Sequence, residues 1–150
     1  MAARGLPVKS KVLSFDVVAT EQDAVARLAL ALDARVIRFE RLRFGGNEPF
    51  ALETCYLCAD NIAGVTRGAV ERGSLFSILK YDYGIDLGYS DEEIDAASPS
   101  VSAARSLRLP AGVPALRIRQ VIYSTKSRPV MYVLSLYRSD RYRLSIRRYR

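Results

Sequence analysis

Histidine is absent from this chain of 150 residues, and its absence excludes several kinds of site. A Ser-His-Asp triad, a Cys-His nucleophilic pair and a histidine-ligated metal all need an imidazole ring. Acid–base chemistry would have to rely on Asp, Glu, Tyr or Lys. We therefore expect neither a metal nor another cofactor.

Cysteine occurs only twice, as Cys55 and Cys58 of a single C-x-x-C motif. A structural zinc site would need a second pair of ligands, and a thioredoxin-like motif would stand at a helix start, where the dipole lowers a thiol pKa. The motif lies instead in a strand-like run over 50–58, where its odd spacing places the two sulfurs on opposite faces. We therefore expect two buried, reduced cysteines rather than a reactive pair.

Long apolar runs, internal repeats and low-complexity segments are missing as well. No stretch approaches the roughly 20 apolar residues that cross a bilayer, and no signal peptide is visible. The composition, 49% hydrophobic and 26% charged, is that of an ordinary globular chain. We expect a single domain over 8–150, a tail or cloning remnant over 1–7, no membrane contact and a cytoplasmic location.

Positive charge is in excess, with a formal net charge of +7. Such an excess suits nucleic acid, an anionic surface or an anionic ligand. Apart from a cluster at the end of the chain the arginines are dispersed, and no zinc finger, RNP-type motif or basic helix accompanies them. A solvated basic surface is therefore favoured over direct binding of nucleic acid.

The spacing of apolar residues predicts an α+β fold, with a mainly antiparallel sheet and flanking helices. Alternation with a period of two predicts the following extended segments: 11–19, 35–44, 50–58, 85–97, 115–124, 130–137 and, as a candidate last strand, 143–149. Turns over 45–49 and 126–129 join neighbouring strands, so two hairpins dominate the chain. This order is typical of an antiparallel sheet with helices in the gaps.

Three helices are predicted from their start signals and apolar spacing. The first begins at Thr20, and its apolar face is formed by Val25, Leu28, Ala29 and Leu32. The second covers 74–84 and stops at a glycine. The third takes Ser98 as its N-cap, with Pro99 at the first helical position, and ends before Pro110.

The segment 128–143 combines a strand that is apolar on both faces with a polar end. A strand of this kind is usually covered on both faces. At Tyr137 the pattern changes to Arg138-Ser139-Asp140-Arg141-Tyr142. We interpret the segment as a core strand that brings polar groups to a site or a turn, and a hairpin carrying solvated charge is the alternative.

Two arginines on one strand form the candidate site. Arg41 and Arg43 are two residues apart, so their side chains leave the same face, roughly 7 Å from each other. Ile37 and Phe39 share this face, which favours partial burial and therefore a need for partners. That partner is either Glu53 on the facing strand or an anionic ligand, since a guanidinium matches both carboxylate and phosphate.

Ser74, at a predicted helix start, is a second group that suits an anion. Free N–H groups and the helix dipole both favour negative charge at such a position. A lone N-cap serine is usually structural, so this residue strengthens the prediction only if it meets the arginine strand in the folded protein.

A set of short motifs, in this order and spacing, resembles the UTRA domain, the effector-binding half of HutC-subfamily regulators in the GntR family. The motifs are Glu40-Arg41-Leu42-Arg43, Gly46-x-x-Pro49, Glu53-x-x-Tyr56-Leu57, Ser74-Leu75-Phe76 and Ser135-x-Tyr137-Arg138-Ser139-Asp140-Arg141-Tyr142. The resemblance implies a chorismate-lyase-like α+β fold over 8–150. It also implies a homodimer that binds DNA only through an N-terminal winged helix-turn-helix domain, which this sequence lacks.

The resemblance also implies roles for individual residues. Arg41, Arg43 and Ser74 match the positions that hold the phosphate or another anion of the effector. Glu53 and Tyr137 match residues that line the cavity, and Ser14 is a further candidate for its wall.

Two positions depart from the phosphosugar-binding pattern of that family. Phe76 replaces a frequent tyrosine, and Met131 replaces a glutamate that some sugar binders have. Both changes make the expected pocket more apolar, which weakens the case for an amino-sugar phosphate and makes a carboxylate or a more apolar anion a candidate. The expected effector is a phosphorylated sugar, a phosphonate or a carboxylate.

Two functions from different classes follow. The first is a non-catalytic sensor, in which an anion binds to Arg41 and Arg43 and shifts a dimer between two arrangements. The alternative is a chorismate-lyase-like enzyme that acts on an aromatic carboxylate, with Glu53 as acid or base. Because a shared fold is weak evidence for chemistry, we favour the sensor and expect no catalytic residue.

Overall fold

A computed structural model of the chain describes residues 8–19, 22–31, 33–62, 64–72 and 75–149. The strands among these residues are β1 (Val8–Ala19), β2 (Arg35–Gly45), β3 (Glu48–Cys58), β4 (Leu87–Ala97), β5 (Ala115–Ser124) and β6 (Pro129–Arg138). The helices are α1 (Gln22–Arg27), α2 (Arg67–Arg72), α3 (Leu75–Ser77), which continues as a π turn over Ile78–Asp82, and α4 (Val101–Leu107), with a 3-10 turn at Ala59–Asn61.

The strands form a single sheet in the order β1-β2-β3-β6-β5-β4. All neighbouring pairs are antiparallel. The predicted hairpins are both present, as β2–β3 and β5–β6, and the α+β prediction is confirmed. β1 and β4 are the two edges of the sheet, and β6 lies in its interior.

The helices cover the sheet on two sides. One face packs against α2 and α3, in a core cluster of Val12, Ile37, Phe39, Cys55, Leu57, Ile62, Val65, Val70, Leu75, Leu79, Ile122, Met131 and Val133. The other face packs against α1 near Tyr132 and against α4 near Leu107. Among the described residues, no helix has the length and apolar character needed to cross a membrane.

The segment 128–143 is confirmed as a core strand with a polar end. Tyr132 is only 1% exposed in the middle of β6. Arg138 at its end donates to both carboxylate oxygens of Asp140, at 3.0 and 2.7 Å. A third bond, of 3.2 Å, runs from Arg138 Nη1 to the carbonyl oxygen of Leu107. Much of the predicted polar end therefore stabilises a turn and the end of α4.

The helices differ from the prediction in three places, and the first is α2 (Arg67–Arg72), which was not among the three predicted helices. The N-cap of α4 is Ser100 rather than Ser98, because the Ser100 hydroxyl accepts a 3.1 Å bond from the Ala103 amide. α1 is shorter than predicted, since Ala29 adopts a positive φ of 51° and is exposed instead of joining the apolar face. The predicted cap Thr20 lies outside the described residues.

The candidate last strand over 143–149 is wrong, since these residues pair with none of the six strands. The physical reason is the position of the preceding strand. β6 is already paired with β3 on one side and with β5 on the other. A chain that leaves β6 therefore finds no free edge beside it, whatever its own alternation.

Candidate functional site

The arginine pair and Glu53 meet in the centre of the sheet. Register pairs Arg41 directly with Glu53 across β2 and β3, and cross-strand partners share a face. Arg41 Nε donates to Glu53 Oε1 at 3.0 Å. Arg43 Nη1 lies 3.6 Å from the same oxygen. The structure therefore brings together three of the predicted site residues.

Two guanidinium groups share one carboxylate in this cluster, so one positive charge has no counter-charge among the described residues. The side chain of Glu53 is 8% exposed, and those of Arg41 and Arg43 are 15% and 26% exposed. The Nε of Arg43 is buried and has no hydrogen-bond partner within the described part of the chain, which does not include Ser74. A buried donor without a partner costs free energy, which an acceptor on a ligand would recover. The cluster therefore has a charge and a donor that suit an anion.

The pKa values around the cluster reflect its burial and its charges. Burial lowers the pKa of Arg41, but the Glu53 carboxylate more than offsets this, and the net shift is upward. Burial, reinforced by Glu53, raises the pKa of the Cys55 thiol to about 12. The same two causes raise the pKa of Tyr137 to about 12. At neutral pH the thiol and the phenol are therefore uncharged hydrogen-bonding groups.

Tyr137 belongs to the same face of the sheet as the arginine pair. Register places it opposite Ala51, which in turn pairs with Arg43. Its ring lies 6.3 Å from that of Phe50 and 4.3 Å from that of Tyr142. Tyr137 is thus held between two rings at one end of the cluster.

Three residues at the cluster were not among the predicted site residues. Ser135 on β6 is 4% exposed and is the cross-strand partner of Glu53 on β3. Tyr142 stacks on Tyr137 from the segment after β6. Cys55, which follows Glu53 on the same face, was expected only to be buried. A serine in an otherwise apolar strand was a sequence signal for Ser135, and both Ser135 and Tyr142 belong to the last of the motifs that resemble the UTRA domain.

The two cysteines lie on β3 and are both free. Cys55 is fully buried, as expected, and Cys58 is only partly buried. The two cysteines form no disulfide with each other, and their reduced state in solution stays a prediction. The predicted burial is confirmed for Cys55 and is wrong for Cys58.

The remaining predicted site residues are placed elsewhere. Met131 is buried beside Leu57 and belongs to the core cluster under α2 and α3. Phe76 is 51% exposed on α3. Ser14 follows a bulge in β1 and pairs with Glu40, and its buried hydroxyl finds no hydrogen-bond partner in the described part of the chain. Ser74 lies outside the described residues.

A separate cavity of about 510 Å³ lies at the other end of the sheet, where β3 ends and β6 begins. None of the predicted site residues that the structure describes lines this cavity. Its walls are formed by Cys58, Ile62, Tyr83, Gly84, Ile85, Asp86, Ser124, Thr125, Lys126, Arg128, Pro129 and Val130.

Comparison with known proteins identifies similar chains of bacterial origin. The HTH-type transcriptional regulator YydK of Bacillus subtilis is 25% identical over 125 residues, which are 83% of this chain and 52% of that protein. The HTH-type transcriptional regulator Rv0792c of Mycobacterium tuberculosis is 26% identical over 104 residues, or 67% of this chain and 39% of that protein. This chain thus spans about half or less of these relatives.

Solved structures share the fold. The crystal structure of YydK has a TM-score of 0.89 at 22% identity and covers 96% of this chain and 63% of its own. The effector domain of PhnF from Mycobacterium smegmatis has a TM-score of 0.82 at 23% identity. The match covers 93% of this chain and 85% of that domain's chain. The agreement extends over nearly the whole sheet, which confirms the α+β, chorismate-lyase-like architecture.

The family model of the UTRA domain matches residues 3–143, and this range contains the arginine pair, Glu53 and Tyr137. The chain belongs to the UTRA domain family.

Proposed function

We propose that this chain is the effector-binding domain of a bacterial transcriptional regulator and that its effector is a small anion. The observation that carries the proposal is the shared carboxylate, because Arg41 and Arg43 together bring two positive charges to Glu53 alone. The relatives described as HTH-type transcriptional regulators support the regulatory role. Solved domains of similar fold are described as ligand-binding and effector domains.

Binding would use the donors that the protein leaves available. The buried Nε of Arg43 lacks an acceptor among the residues that the structure describes, and its Nη1 lies 3.6 Å from Glu53, beyond normal hydrogen-bond length. A phosphate, phosphonate or carboxylate oxygen would accept from this guanidinium and share the charge of Arg41. Tyr137, uncharged at neutral pH, would donate or accept at the same end.

The regulatory step would be a shift between two arrangements of a homodimer. An effector changes such an equilibrium only by its difference in affinity for the two states, typically about 1–3 kcal/mol. In this proposal an attached N-terminal domain binds DNA, and the anion alters the relative placement of two such domains. The domain itself performs no chemistry.

The test is a thermal-shift panel on the 150-residue chain. The panel contains sugar phosphates, phosphonates, dicarboxylates and aromatic carboxylates. A ligand at about a hundred times its Kd stabilises the native state by about 2.7 kcal/mol. The shift should disappear in Arg41→Ala/Arg43→Ala.

Arg38→Ala is the matched control for this panel. Arg38 lies on the same strand but on the opposite face, where it donates to Glu40 at 2.9 Å. The control should keep the full ligand-induced shift. Binding that survives loss of both cluster arginines would overturn the proposed site, and turnover of an aromatic carboxylate that stops in Glu53→Gln would favour the enzyme instead.

A further inference from the structure

The segment 143–149 has the pattern of a strand but no partner strand among the described residues. Arg143, Ser145 and Arg147 alternate with Leu144, Ile146 and Arg148. Leu144 and Ile146 are 41% and 65% exposed. The segment lies at and beyond the end of the family match, which stops at residue 143.

β4 is an edge strand whose outer side is open. All residues from Gly88 to Ala96 are exposed, and Ile94 is among them, with an exposed fraction of 37%. The strand is acidic, with Asp91, Glu92, Glu93 and Asp95 in succession or nearly so. Long exposed edge strands offer a row of unpaired N–H and C=O groups and readily accept another strand.

The contacts after β6 hold the start of this segment beside β3 and β6 rather than at the edge of β4. Arg141 forms an ion pair with Glu48 at 3.3 Å, and Tyr142 stacks on Tyr137 at 4.3 Å. Both contacts direct the chain toward the start of β3. β4 lies on the opposite side of β6, beyond β5.

We propose that residues 143–149 of one copy add as an antiparallel strand to the open edge of β4 in a second copy, and that the second copy does the same in return. With Ile146 opposite Ile94, the alternation of both strands is satisfied. Arg148 then faces Glu92 on the same side of the sheet as the two isoleucines, and Arg147 faces Glu93 on the opposite side. Two apolar side chains and two charge pairs match in one register.

Charge selects this edge over the other one. β1 is also open, but its first half carries Lys9 and Lys11, which repel an arginine-rich segment. On β4, Glu93 lies 3.7 Å from Arg27, and Glu92 accepts from Gln120 at 2.8 Å. Asp91 has no partner among the described residues. The acidic strand therefore retains negative charge for an incoming basic strand.

This contact deepens the proposed function, because it supplies an interface for the homodimer on which that proposal rests. Exchanged strands would tie the sheets of the two copies together, while the arginine cluster lies on β2 and β3 of each copy. Loss of the exchange should therefore leave anion binding at Arg41 and Arg43 measurable. An experiment can thus overturn the strand exchange without overturning the proposed effector site, and the reverse also holds.

Charge reversal on each strand tests the exchange in the full 150-residue chain, with sedimentation velocity as the measurement. The two reversed variants are Arg147→Glu/Arg148→Glu and Glu92→Arg/Glu93→Arg. Each should raise the Kd of the dimer by about tenfold or more, and an equimolar mixture should return it to near the wild-type value, because opposite charges face each other again. A chain that ends at Tyr142 should be monomeric.

Arg72→Glu/Arg105→Glu is the control of equal charge change, at exposed positions outside both strands, and it should leave the Kd unchanged. A monomeric wild-type chain would overturn the exchange. So would a dimer indifferent to both reversals, or a mixture of the two reversed variants that fails to dimerise. A thermal-shift measurement with the anion panel on the same variants reports the effector site independently.

Discussion

Arg43 places its Nη1 3.6 Å from Oε1 of Glu53, while its own buried Nε has no hydrogen-bond partner among the described residues. The same oxygen already accepts from Arg41 at 3.0 Å. Glu53 thus compensates the charges of two partly buried arginines that would otherwise face each other. In the proposed function it also leaves one guanidinium available to the effector.

Replacing Glu53 by Gln should separate these two effects. The domain should lose stability, by about 2–3 kcal/mol, because two partly buried guanidinium groups keep their charges and lose their partner. Affinity for a phosphate or phosphonate should rise several-fold, because the competing negative charge is gone. Urea unfolding and calorimetric titration measure the two quantities.

Glu40→Gln is the matched control for that variant. Glu40 also accepts from an arginine two residues away on the same strand, but it lies on the opposite face and is 33% exposed. Its loss should cost about 0.5 kcal/mol and leave anion affinity unchanged. Equal effects of the two substitutions would contradict a special role for Glu53.

Ionisation of Cys55 should make the domain less stable at high pH. Its pKa is about 12 in the folded protein and 9.0 without the protein environment, because burial disfavours the thiolate. Because the unfolded chain ionises at a lower pH than the folded protein, the stability that the uncharged thiol contributes is fully present below about pH 9. This stability is lost as the pH rises toward 12. The expected slope from this thiol is about 1.4 kcal/mol per pH unit.

Cys55→Ala should remove that part of the slope between pH 9 and 11, at the cost of a lower stability at pH 7. Urea unfolding at a series of pH values measures both. Cys58→Ala, at the partly buried end of the same strand, is the control and should keep the wild-type slope. An unchanged slope in Cys55→Ala would show that the thiol is not shielded in solution.

The start of α4 offers a test of the cap assignment. Ser100→Ala removes the hydroxyl that accepts from Ala103 and should lower the unfolding free energy by about 1 kcal/mol. Ser98→Ala, two residues earlier and exposed, should change it by less than about 0.5 kcal/mol. The opposite order in thermal or urea unfolding would restore the assignment made from sequence.

A hydroxyl joins the first helix to the centre of the sheet. Tyr132 donates to Asp23 Oδ2 at 3.0 Å, and its ring stacks on Tyr56 at 5.7 Å. Tyr132→Phe keeps the ring and should cost about 1 kcal/mol for the lost bond. When Asp23 is already replaced by Ala, Tyr132→Phe should cause no further loss of unfolding free energy. A further loss of about 1 kcal/mol in this double variant would contradict the coupling of Tyr132 to Asp23.

Most of the fold was predictable because local patterns and the sheet agree. The alternation over 115–124 reproduces β5 residue for residue, and the turns at 45–49 and 126–129 set both hairpins. Two failures have different causes: the predicted strand over 143–149 found no free edge beside β6, whereas at the start of α4 local signals compete. Ser98 and Ser100 are both suitable caps, and only the hydrogen bond to Ala103 distinguishes them.

The candidate site was predictable in part for the same reason. Arg41, Arg43 and Glu53 lie on the two strands of one hairpin, so a period of two and a turn suffice to bring them together. Ser135 and Tyr142 reach the cluster through pairing of β6 with β3 and through the turn after Arg138. A pattern of neighbouring residues in the sequence does not show which distant strands pair, so it could not place these two residues at the cluster.

The sequence by itself determined most of the strands, the hairpins, the absence of imidazole chemistry and the placement of two arginines and a glutamate on facing strands, because each depends on local spacing or on composition. Only the tertiary structure decided that Glu53 accepts from Arg41, that the buried Nε of Arg43 has no acceptor among the described residues and that the segment 143–149 finds no place beside β6. Both depend on which strands become neighbours, and that choice is made by burial over the whole sheet rather than by any segment alone.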